Sequence, residues 1–342
     1  MPNKISVSEF LEKGKHIPMV DVRTPSEYAQ GHIPGAINIP LFTDDERVKV
    51  GIRYKQAGKE YAVQLGLEIV GPKLADYTKK AKQIAPKKEI LVHCWRGGMR
   101  SGSMAWLFEI SNLKVHILEG GYKAYRAYIR ERLGDAVPLK ILGGYTGSGK
   151  TDILYEIMKQ GEQMIDLEGL AHHKGSAFGT IGQQPQPTNE QFENDLAYEW
   201  LKLDINKTVW LEDESVTMGR CGIPAPLYSR MRDAEVVKVE VPKSVREQRL
   251  VREYVDGDTE QLFSALSRIS KKLGGLKTKE AEKALHDGDY RKVAEITLEY
   301  YDKAYGYGLN KRDESKMTTI AVDDDNPLLT AKKILEKINT PR

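Results

Sequence analysis

A glycine-rich segment near the middle of the chain has the residue types that hold phosphate groups. Residues 144–151 fit the pattern G-x-x-x-x-G-K-[ST], in which backbone N–H groups surround phosphate oxygens. Apolar residues before this segment predict a strand, and the apolar spacing after it predicts a helix, whose N-terminus adds partial positive charge. We predict that a di- or triphosphate binds here, and the motif leaves the rest of the ligand open. The predicted phosphate-binding residues are Gly144, Tyr145, Thr146, Gly147, Ser148, Gly149, Lys150 and Thr151.

Two acidic segments compete to bind the Mg²⁺ that accompanies many bound phosphates. One predicted strand is followed by Glu212 and Asp213, and another carries Asp166 and Glu168 at its end. Mg²⁺ prefers oxygen ligands, often one or two carboxylates together with the phosphates. We expect Thr151 and either Glu212 or Asp213 to be the metal ligands. Ordinary polar strand ends are the alternative for any one of these carboxylates.

Cys94, a second candidate reactive group, directly follows the predicted strand Glu89–His93. A glycine-bearing loop and a predicted helix come next, so backbone N–H groups, the helix N-terminus and two loop arginines all favour a thiolate. The thiolate is the nucleophilic form, and a free thiol with a pKa of about 8.5 is only slightly ionised at neutral pH. We predict a reactive thiol rather than an inert buried cysteine. The anion-binding loop predicted with it consists of Trp95, Arg96, Gly97, Gly98, Met99 and Arg100.

Length and composition are typical of a two-domain globular protein. The chain has 342 residues, of which 40% are apolar and 30% charged. No apolar run approaches the roughly twenty residues of a membrane span, and the start has no signal-peptide pattern. Cys94 and Cys221 lie in dissimilar contexts without metal-ligand spacing. We therefore expect a cytoplasmic protein with no membrane partner.

The order of predicted elements indicates an α/β fold in two domains, residues 1–135 and 139–342. Strands alternate with helices in the second domain, which predicts a mostly parallel sheet covered on both faces. The strands predicted there are Lys140–Gly143, Met164–Leu167, Val209–Leu211, Val236–Val241 and Thr318–Val322.

The segment at about 243–312 is predicted to be mainly helical and partly basic. The net charge of the chain is only +3, so a polyanionic partner would need such a local patch. Basic residues near tyrosines suit RNA, whose phosphates attract cations and whose unstacked bases stack on flat side chains. A solvated helix face is the alternative. The candidate RNA-binding residues are Arg246, Arg249, Arg252, Lys271 and Lys272.

A loop at 169–179 suits anion contact through Lys174, Gly175 and Ser176, with a plain surface loop as the alternative. Farther along, residues 310–313 spell the N-K-x-D motif of guanine-binding GTPases. We treat that match as coincidence, because a Tyr- and Gly-rich stretch precedes it instead of an apolar strand.

Four segments in the first domain resemble a rhodanese domain: residues 21–28, 31–40, the Cys94 loop and 119–122. The resemblance implies that Cys94 carries sulfur or selenium as a persulfide or perselenide and that the loop from Trp95 to Arg100 binds the anion. The fold it implies is a rhodanese-like domain followed by a P-loop NTPase-like parallel-sheet domain with a helical C-terminal part.

The pairing of these domains, together with residues 166–179 and 210–215, resembles the tRNA 2-selenouridine synthase family. That resemblance implies a transferase that converts wobble 2-thiouridine to 2-selenouridine in the anticodon region of tRNA. It implies selenophosphate and geranyl diphosphate as co-substrates, an S-geranylated intermediate, and an enzyme that supplies selenophosphate as a partner.

Two other classes of function are open at this point. One is an NTP-dependent kinase or NTPase fused to a sulfurtransferase, in which the phosphate loop binds ATP. The other is a non-enzymatic relay of sulfur or selenium, against which the complete phosphate loop argues.

Overall fold

Each half of the chain is built on a parallel sheet. The computed structural model describes residues 2–255, 257–309 and 312–339. The chain divides into two compact units, Met1–Arg132 and Leu133–Arg342. The predicted domain limits at residues 1 and 342 lie outside the described residues, as do residues 310 and 311 of the N-K-x-D match. None of the described helices combines the length and apolar character needed to cross a bilayer.

The first unit carries the strand that ends at Cys94. Its strands are β1 (Asn3–Ile5), β2 (Met19–Asp21), β3 (Ile37–Asn38), β4 (Glu89–His93) and β5 (Lys114–Leu118). Its helices are α1 (Val7–Gly14), α2 (Pro25–Gln30), α3 (Asp44–Ala57), α4 (Lys59–Val70), α5 (Leu74–Ile84), α6 (Met99–Ile110) and α7 (Gly121–Arg132). These described strands pair in parallel in the order β1-β5-β4-β2-β3. Strand β4 is therefore central, and its residues from Ile90 to His93 are buried.

The first turn of α7, which begins at Gly121, holds the backbone of the loop after β4. The N–H of Tyr122 donates to the carbonyl of Cys94 over 2.8 Å, and the N–H of Lys123 donates to that of Trp95 over 2.9 Å. Gly121 has a φ of +61°, and a Cβ there would lie 2.4 Å from the Cys94 carbonyl oxygen. The start of α7 can therefore hold the Cys94 loop only while residue 121 has no side chain.

The second unit contains the predicted phosphate loop. Its strands are β6 (Leu139–Gly144), β7 (Gln163–Met164), β8 (Val209–Glu212), β9 (Thr217–Met218), β10 (Cys221–Gly222), β11 (Glu235–Glu240) and β12 (Met317–Ala321). Its helices are α8 (Lys150–Lys159), α9 (Leu167–Ala171), α10 (Asn189–Trp200), α11 (Ala225–Asp233), α12 (Lys243–Val255), α13 (Thr259–Leu273), α14 (Gly275–His286), α15 (Tyr290–Leu309) and α16 (Pro327–Asn339).

The main sheet of this unit has the order β12-β11-β6-β8-β7, with every neighbouring pair parallel. Strands β9 and β10 form a separate antiparallel ribbon. The α/β fold class with a parallel-sheet second domain is confirmed. Because β6 is the middle strand of the described sheet, the loop that follows it has neighbouring strand ends on both sides.

The four helices α12–α15 are an insertion between the adjacent strands β11 and β12. They have an apolar core of their own, which includes Leu262, Leu266, Leu285 and Leu298. This insertion covers most of the segment at 243–312 that was predicted to be helical. After it, the chain re-enters the sheet as β12, next to β11.

The Gly121 contact generates a stability prediction. Gly121→Ala should lower the unfolding free energy by about 2 kcal/mol or more, because the methyl group would overlap the Cys94 carbonyl at a positive φ. Urea unfolding measures the loss. Gly102→Ala in α6 is the control, since a Cβ there meets nothing within 4 Å and alanine favours a helix. Equal midpoints for the two variants would contradict this account.

Candidate functional site

The phosphate loop bends between β6 and the N-terminus of α8. Gly149 has a φ of +72° and immediately precedes Lys150, the first residue of α8. This left-handed conformation suits glycine and brings the loop round to the helix N-terminus. A cavity of about 690 Å³ lies over the loop and includes Gly144, Lys150 and Thr151 in its lining. The geometry is therefore that of an anion site at a helix N-terminus.

Three glutamates surround the inner end of this cavity. Carboxylate oxygens of Glu168, Glu212 and Glu214 lie within 4.8 Å of one another. Glu212, at the end of β8, is 1% exposed, and neither of its carboxylate oxygens has a hydrogen-bonding partner among the described residues. The Thr151 hydroxyl donates to Glu168 over 3.2 Å. An unpaired buried carboxylate such as that of Glu212 suits a divalent cation, which prefers oxygen ligands.

Burial and the neighbouring carboxylates raise the pKa values of the glutamates in this cluster. Burial raises the pKa of Glu168, and the neighbouring charges of Glu212 and Glu214 raise it further, although Lys150 opposes the rise. Burial lowers the pKa of Lys150, but the surrounding carboxylates outweigh it, so the net shift is upward. Lys150 therefore stays positively charged, whereas the raised pKa values of the glutamates favour their protonated forms when no further cation is bound.

The prediction that Asp213 is a Mg²⁺ ligand is corrected by its contacts. Its Oδ1 accepts a hydrogen bond from Arg312, and Arg232 Nη1 lies 3.6 Å away. Its Oδ2 accepts from the Tyr305 hydroxyl over 3.1 Å. Both oxygens face cationic or donor groups, so we replace Asp213 with Glu168 and Glu214 in the candidate metal set and keep Glu212.

Tyr305, which the sequence reasoning did not single out, also reaches the phosphate loop. The N–H of Gly144 donates to its hydroxyl oxygen over 2.8 Å. Tyr305 belongs to α15, far along the chain, and no local pattern marks it. In the sequence it is one of several tyrosines near basic residues, a pattern that favours RNA binding and does not predict a contact with the phosphate loop.

Two of the candidate RNA-binding arginines, Arg246 and Arg249, lie beside the phosphate loop and not on an open surface. Arg246 is 4% exposed, and it donates to Asp302 over 2.8 and 2.9 Å and to the Thr146 carbonyl over 3.2 Å. The prediction that Arg246 contacts RNA phosphates is therefore corrected: its charge is neutralised inside the protein, where it supports the phosphate loop. Arg249 lines the phosphate-loop cavity.

The other three basic candidates are accessible. The Arg252 side chain is 67% exposed and pairs with Asp325. Lys271 and Lys272 are exposed in the last turn of α13. These three residues stay predictions for RNA contact.

The loop at 169–179 contributes to the cavity lining through Lys174, Gly175 and Ser176. Lys174 Nζ lies 3.2 Å from Glu253. A Cβ on Gly175 would lie 2.7 Å from Glu214 and 2.8 Å from Glu168. The loop therefore lies against the glutamate cluster.

Cys94 lies at the C-terminal end of β4 in the first unit and is 3% exposed. Its Sγ is 3.2 Å from the Ser101 hydroxyl oxygen. Burial raises the pKa of this thiol, but the Ser101 hydroxyl and the backbone N–H groups of Ser101, Arg96 and Gly98 outweigh that effect. The pKa is therefore below its ordinary value, and the thiolate is stabilised mainly by hydrogen bonds.

The side chains of the predicted anion loop have different roles around Cys94. Arg100 pairs with Glu27, with Nη1 2.5 Å from a carboxylate oxygen. Arg96 is exposed, as are Trp95 and Met99, which are 37% and 58% exposed. A Cβ on Gly97 would lie 2.8 Å from the Leu118 carbonyl oxygen. The described loop thus binds the sulfur through its backbone and leaves several side chains facing outward.

The hydrogen bond from Ser101 generates a pH prediction. Ser101→Ala should raise the pKa of Cys94, so its alkylation by iodoacetamide should be slower near neutral pH and reach half its maximum rate at higher pH. Mass spectrometry of the Cys94 peptide separates this signal from Cys221, whose pKa burial raises. Ser103→Ala, an exposed position on the same helix, is the control. An unchanged pH profile in Ser101→Ala would show that backbone N–H groups alone stabilise the thiolate.

Comparison with known proteins assigns both units. The model of the tRNA 2-selenouridine synthase AAA domain matches residues 137–330, and that of the rhodanese-like domain matches residues 5–128. The tRNA 2-selenouridine synthase of Shewanella sediminis is 36% identical over 332 residues, covering 86% of this chain and 88% of the relative. That of Shewanella woodyi is 37% identical over 348 residues, covering 91% and 92%.

These matches confirm the resemblance found in the sequence motifs. With a rhodanese-like unit followed by an AAA-type phosphate-loop unit, the chain belongs to the tRNA 2-selenouridine synthase family.

Proposed function

We propose that this protein replaces the sulfur of wobble 2-thiouridine in tRNA with selenium, with geranyl diphosphate and selenophosphate as co-substrates. The observation that carries the proposal is the cavity over the phosphate loop, which joins a charged end to an apolar wall. Glu212 and Lys150 lie at the charged end. Phe178, Ile181 and Leu250 belong both to the lining and to the apolar core of the helical insertion. A prenyl diphosphate has a charged head and a hydrocarbon tail, which match these two regions.

The first step makes the sulfur a leaving group. The C2 sulfur of thiouridine forms a bond to carbon 1 of the geranyl group while the bond from that carbon to the diphosphate oxygen breaks. The N3 proton of the base is lost, which leaves a neutral S-geranyl product. Lys150 and the loop N–H groups bind the departing diphosphate and stabilise its growing negative charge.

In the second step, the selenium of selenophosphate adds to C2 and the bond between C2 and sulfur breaks. Geranylthiol leaves with a proton, and C2 retains selenium. Water then cleaves the bond between selenium and phosphorus, so that the hydroxyl group leaves with phosphate and the proton goes to N3 of the base. We assign Cys94 to this half of the reaction, where selenium is delivered and geranylthiol is removed. Its depressed pKa and hydrogen-bonded sulfur support an anionic role.

The glutamate cluster fits a Mg²⁺ ion in this proposal. Glu168, Glu212 and Glu214 would hold it, with Thr151 beside Glu168. Such an ion would supply positive charge to the diphosphate leaving group. The buried, unpaired oxygens of Glu212 are the structural support for this assignment.

The anticodon region of the tRNA would meet exposed cations. Arg252, Lys271 and Lys272 are the candidates whose charges remain accessible, and phosphate contacts of this type provide affinity without base specificity. A partner enzyme that supplies selenophosphate completes the proposal.

The role of the phosphate loop is tested with Lys150→Ala. Geranyl transfer to tRNA that contains 2-thiouridine should fall by about 100-fold or more, because the diphosphate loses its lysine. Nucleoside mass spectrometry measures the product, and circular dichroism checks the fold, since the change leaves three carboxylates without a lysine. Lys159→Ala at the exposed end of α8 is the matched control. Normal geranylation by Lys150→Ala, with loss of NTP hydrolysis, would assign the loop to a nucleotide.

The division of labour between the units is tested with Cys94→Ser. Serine is nearly isosteric but is scarcely ionised at neutral pH. The variant should still bind and geranylate tRNA but should lose selenation, so geranylated thiouridine should accumulate in cells that carry only this variant. Cys221→Ser is the matched control for a buried cysteine outside the rhodanese-like unit. Full 2-selenouridine without the geranylated species would show that Cys94 is dispensable, and loss of both products would show that the thiol also serves the first step.

A further inference from the structure

The described lining of the phosphate-loop cavity has three basic residues besides Lys150, which are Lys174, Arg232 and Arg249. Lys150 faces Glu168, Glu212 and Glu214, whose carboxylates outnumber it. A diphosphate brings further negative charge into the same space. Because like charges at short range oppose binding, the ligand needs a cation outside the glutamate cluster.

Arg249 places such a cation directly on the loop. It belongs to α12 of the helical insertion, and it lines the cavity. A Cβ on Gly149 would lie 2.9 Å from Arg249 Nη1 and 3.1 Å from its Cζ. The guanidinium group therefore packs against the last glycine of the phosphate loop, beside the N-terminus of α8.

Arg249 has three acidic partners among the described residues: Glu253 of the same helix lies 4.0 Å from its Nε, and the other two come from different places in the chain. Asp325 accepts from Nη1 over 2.6 Å, and Asp152 accepts from Nη2. Asp152 directly follows Thr151 and its side chain is 52% exposed, so water can solvate it without the arginine. Asp325 is 24% exposed and lies between β12 and α16, far from Asp152 in the sequence. It holds the guanidinium group through Nη1.

We propose that Arg249 is a phosphate-binding residue that exchanges Asp152 for a ligand phosphate while it keeps its contact with Asp325. This inference rests on the proposed binding of a diphosphate to the loop. A guanidinium group suits the exchange, because its planar donors can bind a carboxylate on one edge and a phosphate on the other. Without a ligand, the Asp152 carboxylate neutralises the charge of Arg249, and the ligand phosphate takes its place on binding.

Arg252 provides an internal contrast on the same helix. It also pairs with Asp325, through the other carboxylate oxygen, but its side chain is 67% exposed and it is absent from the described cavity lining. A substitution there disturbs the same carboxylate without removing a charge from the loop.

The test measures binding of inorganic pyrophosphate with Mg²⁺ to the full chain by calorimetry. Arg249→Gln should weaken binding by about tenfold or more, as expected for loss of a charge-assisted hydrogen bond. Arg252→Gln should bind pyrophosphate as the wild type does. Asp152→Asn should bind more tightly than the wild type, because Arg249 no longer has to leave a carboxylate.

The double variant Asp152→Asn/Arg249→Gln separates this role from simple electrostatics or a folding defect. The tightening caused by Asp152→Asn should disappear when Arg249 is absent. Equal tightening in both backgrounds, or wild-type binding by Arg249→Gln while Lys150→Ala fails to bind, would overturn the role of Arg249 alone. No pyrophosphate binding by the wild type would overturn the phosphate site together with this inference.

Discussion

One lysine that faces three closely spaced carboxyl groups, two of them buried, sets the requirements of the phosphate-loop unit. Glu168, Glu212 and Glu214 come from different positions along the chain and converge beside Lys150. Burial and mutual repulsion raise the pKa values of these groups, so their ionised forms need more positive charge than Lys150 alone provides. Any anionic ligand must therefore arrive with a cation or find additional ones in the cavity. Lys174 and Arg249 line that cavity, each paired with an acidic residue in the described structure.

The site around Cys94 has to stabilise only one negative charge, and it does so without a contacting cation among the described residues. It stabilises a single thiolate with the Ser101 hydroxyl and backbone N–H groups, while Arg100 is occupied by Glu27. Both centres follow a central strand of a parallel sheet and precede a helix N-terminus, where N–H groups point toward an anion. The thiolate needs no counterion in contact, whereas a diphosphate carries more charge than backbone dipoles alone can offset.

The sequence predicts local features well and long-range partners poorly. The phosphate loop and the strand before Cys94 were evident because their patterns occupy a few adjacent residues. Four of the five strands predicted for the second unit agree with the structure to within one residue at each end, because they are apolar runs between polar segments. The strand predicted at Met164–Leu167 is wrong beyond Met164, since Leu167 begins α9, and the ribbon strands β9 and β10 were not predicted. The partners of Asp213 could not be predicted, because Arg312 and Tyr305 come from distant parts of the chain. The same limit applies to Arg246: its spacing suggested a basic helix face, but only the fold shows Asp302 against it.

The helical insertion lines the phosphate-loop cavity and is also a candidate RNA surface. In α15, Tyr305 accepts from the N–H of Gly144, Asp302 binds Arg246 beneath the loop, and Tyr301 accepts from the N–H of Ala177 in the loop that carries Lys174. One helix thus supports both sides of the cavity. Because Tyr305 already occupies the N–H of Gly144, that group is not free for the ligand. A phosphate bound as proposed would therefore use later N–H groups of the loop, and Arg249 packs against one of these residues, Gly149.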